Sequence, residues 1–457
     1  MLDLSAVKKI YFIGIGGIGM SAVAGLCAAR GFEVSGSDSR DVYDPGKGVL
    51  DHWGIKYAVG YAAENFFGAD LAVVSAAIDA ENPELLKVRQ SGVPITSYAE
   101  LLGVLTQNRR RVVVTGTHGK GSTSGLLGFV LKDLNDSSFF VGGVLKQLGT
   151  NFYSGSGPEF VLEGDEYRSG PDDPAPKFMH YYPDVLLLNN LELDHPDIYP
   201  DLAALKKVFA ELVQNMPAAG IVVYNADDAN ATELAALANC RVFGFGFENK
   251  NAQLRGDFPT LDSNGEFTGR AEFGTTELIF KSIFPGKLYG YNNLAAIAVL
   301  LCLGYKPEQF LDFVEKYQGL KRRFEISSEH GIVLIDDYAH HPTAVLRTLE
   351  AARQKYPDQR LIAVFEPHTF SRTREILPQL AKAFGPADLV LISEVYPARE
   401  QKLPDSVSGE MVARETAKNH PNVRFVAGQA VAQAELKKLA RPGDVVVVMS
   451  VSPYKVF

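Results

Sequence analysis

Cysteine is scarce in this chain of 457 residues: Cys27, Cys240 and Cys302 lie far apart, each among apolar neighbours. That spacing argues against a disulfide framework or a cysteine zinc site and reads as three reduced core thiols of a cytoplasmic protein. Apolar runs of about 18 residues are lacking, which argues against a helical membrane span. No basic-then-apolar leader opens the chain, because Gly14 to Gly19 interrupts the first apolar stretch. Positive charge is in deficit, with 45 Lys and Arg against 54 Asp and Glu and a net charge of −9. A general nucleic-acid binder needs a basic face, so nucleic acid is not an expected partner, whereas an anionic nucleotide in a local pocket is compatible. Repeats and low-complexity tracts are missing too. What remains, 46% apolar and 22% charged, is an ordinary globular composition, and its length suggests about three domains.

The most informative stretch is RVVVTGTHGKGST, Arg111 to Thr123. Val112 to Val114 predict a short buried strand, and Leu126, Leu127, Val130 and Leu131 recur at helical spacing. Between them lie Gly116, Thr117, His118, Gly119, Lys120, Gly121, Ser122 and Thr123. A strand, a Gly-rich turn with a lysine, and a helix form a phosphate cradle of backbone N–H groups, helix dipole and full positive charge. The common G-x-x-x-x-G-K-[ST] form is not met, since Val114 stands five before Gly119 and Gly121 follows the lysine.

Upstream, the strand candidate Lys9 to Ile13 runs into Gly14, Gly16 and Gly19 at G-x-G-x-x-G spacing. A second candidate, Phe32 to Ser35, leads to Asp38, nineteen residues after Gly19. Taken alone this is a dinucleotide fingerprint, and a nicotinamide dehydrogenase is one reading of it. The strand Leu71 to Val74 ends at Ser75, again at a carboxyl end where such sheets bind ligands. Downstream, Phe160 to Glu163 precede Asp165 and Glu166, a carboxylate pair of the kind Mg2+ prefers, and Val185 to Leu188 lead to Asp194 and His195. After Asn225 to Asp228 the chain reads as β-rich to about Phe284. Ile332 to Ile335, Ile362 to Phe365, Leu389 to Ser393 and Val445 to Met449 predict further parallel strands, with a helix beginning near Pro342. The adjacent His340 and His341 lack an i, i+4 partner, which ranks zinc low.

TGTHGK resembles the ATP loop of the Mur ligases, and GIGGIGMS, Gly14 to Ser21, resembles their N-terminal uridine-nucleotide loop. Lys177 to Leu202, KFMHYYPDVLLLNNLELDHPDIYPDL, is similar to the murein peptide ligases, the recycling branch; EPHTFSRTR, Glu366 to Arg374, resembles the alanine-adding branch. The resemblance covers nearly the whole chain. It implies an α/β fold of three domains: a Rossmann-like N-terminal domain that binds the UDP-sugar (1–108), a central P-loop ATPase-like domain (109–320), and a C-terminal Rossmann-like domain (321–457), with a linker around Asn108 to Arg111.

The reaction implied is ATP-dependent joining of UDP-N-acetylmuramate to the murein tripeptide L-alanyl-γ-D-glutamyl-meso-diaminopimelate, with L-alanine as the alternative acceptor and Mg2+ as cofactor. Lys120, Glu166 and His195 are then catalytic, with Glu166, His195 and Ser122 as metal ligands. Gly116 to Thr123, Asn292, Arg323, Asp337 and His340 meet ATP; Gly14, Gly16, Gly17, Gly19, Met20, Ser21, Asp38 and Ser75 meet the UDP-sugar. A monomer or weak homodimer in the cytoplasm is expected, closing its domains to keep water from the acyl phosphate.

Departures from the family pattern cluster in functional loops. Gly121 stands where a hydroxyl is usual, Leu288 and Tyr289 where His and Asn are usual near adenine, and Arg168 to Pro176, RSGPDDPAP, replaces an aromatic-rich segment. The end SVSPYKVF has no Gly-rich turn and final helix, predicting a sheet face left uncovered. A non-catalytic UDP-sugar-binding relative is therefore the second hypothesis, and weak ATP affinity is expected.

Overall fold

The computed structural model describes residues 2–195, 198–261, 266–398 and 400–454. Pro196 and Asp197 of the Lys177–Leu202 motif, and the last three residues of SVSPYKVF, lie outside them. The chain divides into two compact units. The first comprises Met1–Leu191, Lys206–Leu254 and Ala295–Gln318; the second comprises Glu192–Leu205, Arg255–Leu294 and Gly319–Phe457.

The first unit opens with a parallel sheet of β1 (Lys9–Ile13), β2 (Glu33–Asp38), β3 (Lys56–Val59), β4 (Leu71–Val74) and β5 (Ile95–Thr96), in the order β3-β2-β1-β4-β5. The order reverses between β1 and β4, so the loops after those strands border the crevice where such sheets bind ligands. The helix Ile18–Ala29 follows β1 directly. A second sheet holds β6 (Arg110–Thr115), β7 (Ser138–Leu145), β8 (Thr150–Tyr153), β9 (Glu159–Glu163), β10 (Val185–Leu188), β11 (Ile221–Asn225) and β12 (Arg241–Gly246). Its order in this unit is β12-β11-β10-β6-β9-β7-β8, parallel except for the antiparallel pair β7 and β8. Strands β6, β9 and β10 lie side by side, so the loops bearing Lys120 and Glu166 emerge from neighbouring strands. Valine and leucine fill these strands because both faces are covered.

In the second unit β13 (Leu254–Leu261), β14 (Phe267–Phe273) and β15 (Thr276–Ser282) form a meander. The other sheet there contains β16 (Glu325–Glu329), β17 (Ile332–Asp337), β18 (Leu361–Phe365), β19 (Leu389–Ile392), β20 (Val423–Phe425) and β21 (Val445–Met449). Its order is β16-β17-β21-β18-β19-β20, with only β16 antiparallel.

Four expectations need correction. The linker expected at Asn108 to Arg111 is shorter, because Arg110 and Arg111 already pair with Glu159 and Phe160 in β6. The β-rich stretch after Asp228 is interrupted by the helix Ala229–Ala235, which Asp228 caps through the Ala231 N–H. Cys240 is half-exposed beside β12, whereas Cys27 and Cys302 are buried; all three are free thiols. The face beneath β21 is not left bare: Val446 and Val448 pack with Ala432, Leu436 and Tyr454, so the helix Gln429–Leu439 and the start of the tail cover it. Among the described residues no helix is long and apolar enough to cross a membrane.

Candidate active site

In the first unit the lysine loop is built from its backbone outward. Gly116 has φ +123°, and a Cβ there would lie 2.9 Å from the Asn190 carbonyl oxygen, so a side chain is excluded. The Asn189-Asn190 pair that leaves β10 clamps this turn. The Thr117 N–H donates to the Asn190 carbonyl at 3.0 Å. The His118 N–H donates to Asn190 Oδ1 at 2.8 Å, and Asn190 Nδ2 donates back to the His118 carbonyl at 3.1 Å. Asn189 Nδ2 donates to the buried Thr123 hydroxyl at 3.2 Å. Gly119 caps the helix Lys120–Asn135, with Gly121 and Ser122 half-buried in its first turn.

Lys120 is charge-balanced. Its Nζ lies 2.8 and 3.0 Å from the two oxygens of Glu166 and donates to the Gly116 carbonyl at 2.7 Å. Burial alone would lower its pKa, but the Glu166 carboxylate outweighs burial and raises it, so the ammonium stays protonated. Glu166 is itself buried. A second pair stands beside the first: Lys177 Nζ binds Asp165, and its ammonium lies 5.6 Å from the ring centres of both Tyr98 and Tyr167. Burial would raise the Asp165 carboxyl, but the Lys177 ammonium holds it below its ordinary value.

The Gly14 to Ser21 loop lies in the same unit. Asp38 Oδ2 accepts from the Gly16 N–H at 2.8 Å, and a Cβ on Gly16 would meet that carboxylate at 2.9 Å. Gly14 sits against Ser75, at the carboxyl ends of β1 and β4, and Gly19 sits against the Tyr98 ring. Gly17 is exposed. Met20 and Ser21 turn inward, and the Ser21 hydroxyl donates to the Gly17 carbonyl at 3.0 Å. The RSGPDDPAP segment also belongs here: Arg168 bridges to Pro176, and Asp172 pairs with Arg89 at 2.6 Å.

In the second unit Asp194 lies 2.6 Å from the Arg372 guanidinium, both buried, and 3.7 Å from the His195 ring. Burial would raise Asp194, yet Arg372, then His195, hold it well below the usual carboxylate range. His340 bonds the Tyr338 carbonyl through Nδ1 at 2.7 Å and meets His368 edge to face at 5.4 Å. Burial and the Arg372 charge lower both imidazoles, His368 to about 4, so the pair is neutral near pH 7. Arg372 Nε and His368 Nδ1 are buried with no hydrogen-bond partner among the described residues. His341 instead caps the helix Pro342–Lys355 through the Thr343 N–H, so the two adjacent histidines diverge.

Arg323 lies over the Tyr338 ring at 4.8 Å. Asp337 accepts from the Phe324 and Ala339 N–H groups at 2.9 and 2.8 Å, and burial pushes its carboxyl up to about 6. Asn292 is buried with its Nδ2 unpartnered among the described residues. Tyr289, three residues earlier, stacks on Phe284 at 4.7 Å and fills core. Thus the first unit brings together Lys120 and Glu166, and the second holds His195, Asn292, Arg323, Asp337 and His340. The Asn190 clamp, the Lys177 pair and the Arg372–Asp194 pairing were not foreseen; the prior signals were two asparagines after an apolar strand, the acids Asp165 and Asp194, and the basic EPHTFSRTR loop.

A model of the Mur ligase family catalytic domain matches residues 9–110, the Mur ligase middle domain matches 114–300, and the Mur ligase glutamate ligase domain matches 322–451. The chain belongs to the Mur ligase family. Its three-domain α/β fold is that of this family, whose members are ATP-dependent, ADP-forming amide ligases. This Mur ligase is 35% identical over 445 residues to the UDP-N-acetylmuramate–L-alanine ligase of Sulfurihydrogenibium, covering 97% of this chain and 94% of that one. It is 36% identical to the ligase of the same name from Desulfosudis oleivorans, covering 96% and 94%. Among solved structures, the UDP-N-acetylmuramate–alanine ligase of Thermotoga maritima aligns with a TM-score of 0.77 at 28% identity, covering 97% of this chain and 96% of that one. A murein peptide ligase from Psychrobacter arcticus aligns with a TM-score of 0.73 at 26% identity over the same shares.

Proposed function

We propose that this Mur ligase joins the carboxylate of UDP-N-acetylmuramate to the amine of L-alanine, converting ATP to ADP and phosphate in the cytoplasm. The observation that carries this reading is the whole-length similarity to proteins named for that reaction, at 34 to 36% identity. It reverses the order expected from the Lys177–Leu202 motif, which put the tripeptide acceptor first. The EPHTFSRTR loop agrees with the reversal. Its Arg372 and His368 leave buried polar atoms unpartnered among the described residues, and an α-carboxylate is the anion such donors recognise.

The chemistry follows from the residues. A carboxylate is a poor acyl donor, so its oxygen first attacks the γ-phosphorus of ATP and ADP leaves. The amine nitrogen then attacks the acyl carbon, a tetrahedral intermediate forms, and phosphate leaves. Lys120 supplies fixed positive charge to the transferring phosphoryl group. The Gly116–Gly119 turn presents backbone N–H groups to the phosphates, and the Asn190 clamp holds that turn before substrate arrives. The buried Glu166 carboxylate is the hard oxygen donor Mg2+ prefers, and Ser122 carries a hydroxyl in the first turn of the Lys120–Asn135 helix, so these residue types fit the ion. Bound Mg2+ would neutralise charge on the phosphoryl oxygens.

Phosphate release from ATP with Mg2+ and UDP-N-acetylmuramate, run with L-alanine, with the tripeptide and with no amine, tests the reading. Dependence on L-alanine is expected. Dependence on the tripeptide alone restores the recycling assignment, and silence in all three leaves a binding protein on a ligase fold.

A further inference from the structure

Two ion pairs of like make-up stand on consecutive residues in the first unit. Glu166 pairs with Lys120, and Asp165 pairs with Lys177. Lys120, Glu166 and Lys177 are largely withdrawn from water, at 13, 4 and 12% exposed, and Asp165 is partly buried at 34%. In such surroundings a carboxylate without its own partner turns to the nearest cation. Asp165 is the chain neighbour of Glu166, whose carboxylate holds Lys120 at 2.8 Å.

The backbone makes the second pair specific. The Lys177 N–H donates to the Tyr167 carbonyl at 3.0 Å and the Phe178 N–H to the Asp165 carbonyl at 3.3 Å. The ends of the Arg168–Pro176 loop are thereby tied beside the acidic pair. The loop is anchored further by Arg168, which donates to the Ala76 carbonyl at 3.2 Å, and by the Arg89–Asp172 and His180–Asp173 pairs, both at 2.6 Å. Tyr98 and Tyr167 flank the Lys177 ammonium and hold it over Asp165.

We propose that Lys177 is a positioning residue for the phosphate site: by occupying Asp165 it keeps that carboxylate from competing for Lys120, leaving Lys120 to Glu166 and the nucleotide phosphates. This rests on the reading of Lys120 as the ATP lysine. It assigns Lys177 no contact with substrate.

The sign of two single substitutions tests it. Lys177→Met and Asp165→Asn break the same ion pair, so a merely structural role predicts that they act alike. Charge competition predicts opposite directions. Affinity for the non-hydrolysable triphosphate AMP-PNP with Mg2+ is read by calorimetry on the full chain. Lys177→Met leaves Asp165 to draw on Lys120 and weakens binding about tenfold; Asp165→Asn removes the competitor and binds as tightly as the parent or tighter. The neutral pair Asp165→Asn with Lys177→Met, close in shape to the parent, recovers most of the loss, and Lys177→Arg retains affinity. Equal losses in both single variants, or no recovery in the double variant, overturn the proposal. If Lys177→Met does not fold, Asp165→Asn decides alone, since weakened binding there is the wrong sign. Failure of the parent to bind AMP-PNP counts against the ATP reading of Lys120, a separate outcome.

Discussion

The lysine loop of the first unit and the Arg372 cluster of the second are both buried and charged, yet they are finished to different degrees. Lys120 has a carboxylate and a carbonyl as partners, and its turn is clamped on both sides by Asn190. Arg372 has the Asp194 carboxylate, an Nε unpartnered among the described residues, and two neutral imidazoles close by. A site for a highly charged common nucleotide gains from being held ready by its own counter-ion. A site for a small acceptor gains from donors left open for one anion. The difference predicts that losses in the first region strike turnover and losses in the second strike acceptor affinity.

The largest effect is expected at Lys120. Lys120→Met removes the fixed charge at the phosphoryl group and leaves Glu166 buried without its cation. Amine-dependent phosphate release should fall on the order of 1,000-fold, and a loss under tenfold would dissolve the contrast. Arg372→Gln should raise the L-alanine KM about 10- to 100-fold, the range for a lost charge-assisted hydrogen bond, with AMP-PNP affinity unchanged. It should also destabilise the chain by roughly 3 kcal/mol, since buried Asp194 loses its guanidinium partner and keeps only the His195 contacts. Adding Asp194→Asn should recover most of that stability in denaturant melts without restoring the KM.

The pH dependence sharpens the comparison. His368 is depressed from 6.5 to about 4, so the folded state binds its proton more weakly than the unfolded chain. Its neutral form favours folding fully above pH 6.5, and that contribution is lost as pH falls towards 4. The span corresponds to roughly 3 kcal/mol. His368→Gln should flatten the fall in stability between those pH values while leaving the melt at pH 8 nearly unchanged, and an unaltered acid limb would remove His368 from the account.

Much of this was legible in the chain. The strands Lys9–Ile13, Leu71–Val74, Val185–Leu188 and Val445–Met449 fall where their apolar runs place them, because a strand covered on both faces writes itself as valine and leucine. Pro342 marks the first residue of its helix because its fixed φ suits that position. The Lys120 loop is legible because Gly116 turns through φ +123°, a local requirement that glycine meets. The pairings are not local. Asn190 lies 72 residues from His118 and Lys177 lies 12 from Asp165, so only the folded sheet reveals who meets whom. The tail misled for the same reason: Tyr454 and Leu436 cover β21 from separate segments. Acceptor choice was the least legible, since the Lys177–Leu202 and Glu366–Arg374 motifs resemble different branches.

Tyr289 offers the smallest effect and bears on ATP affinity. Were it an adenine-facing substitute, truncation would alter nucleotide binding and leave stability alone. Instead it stacks on Phe284 at 4.7 Å with an interplanar angle of 16° and meets Phe324 edge to face at 5.9 Å. Tyr289→Leu keeps most of the apolar volume and gives up the ring geometry, a loss of about 1 kcal/mol. ATP affinity should stay at the parent's level, which is expected to be weaker than low micromolar because neither Leu288 nor Tyr289 offers the polar pair usual near adenine. A shift in AMP-PNP affinity with an unchanged melt would move Tyr289 from the core to the nucleotide. A low-micromolar parent would show that the chain holds adenine by other groups.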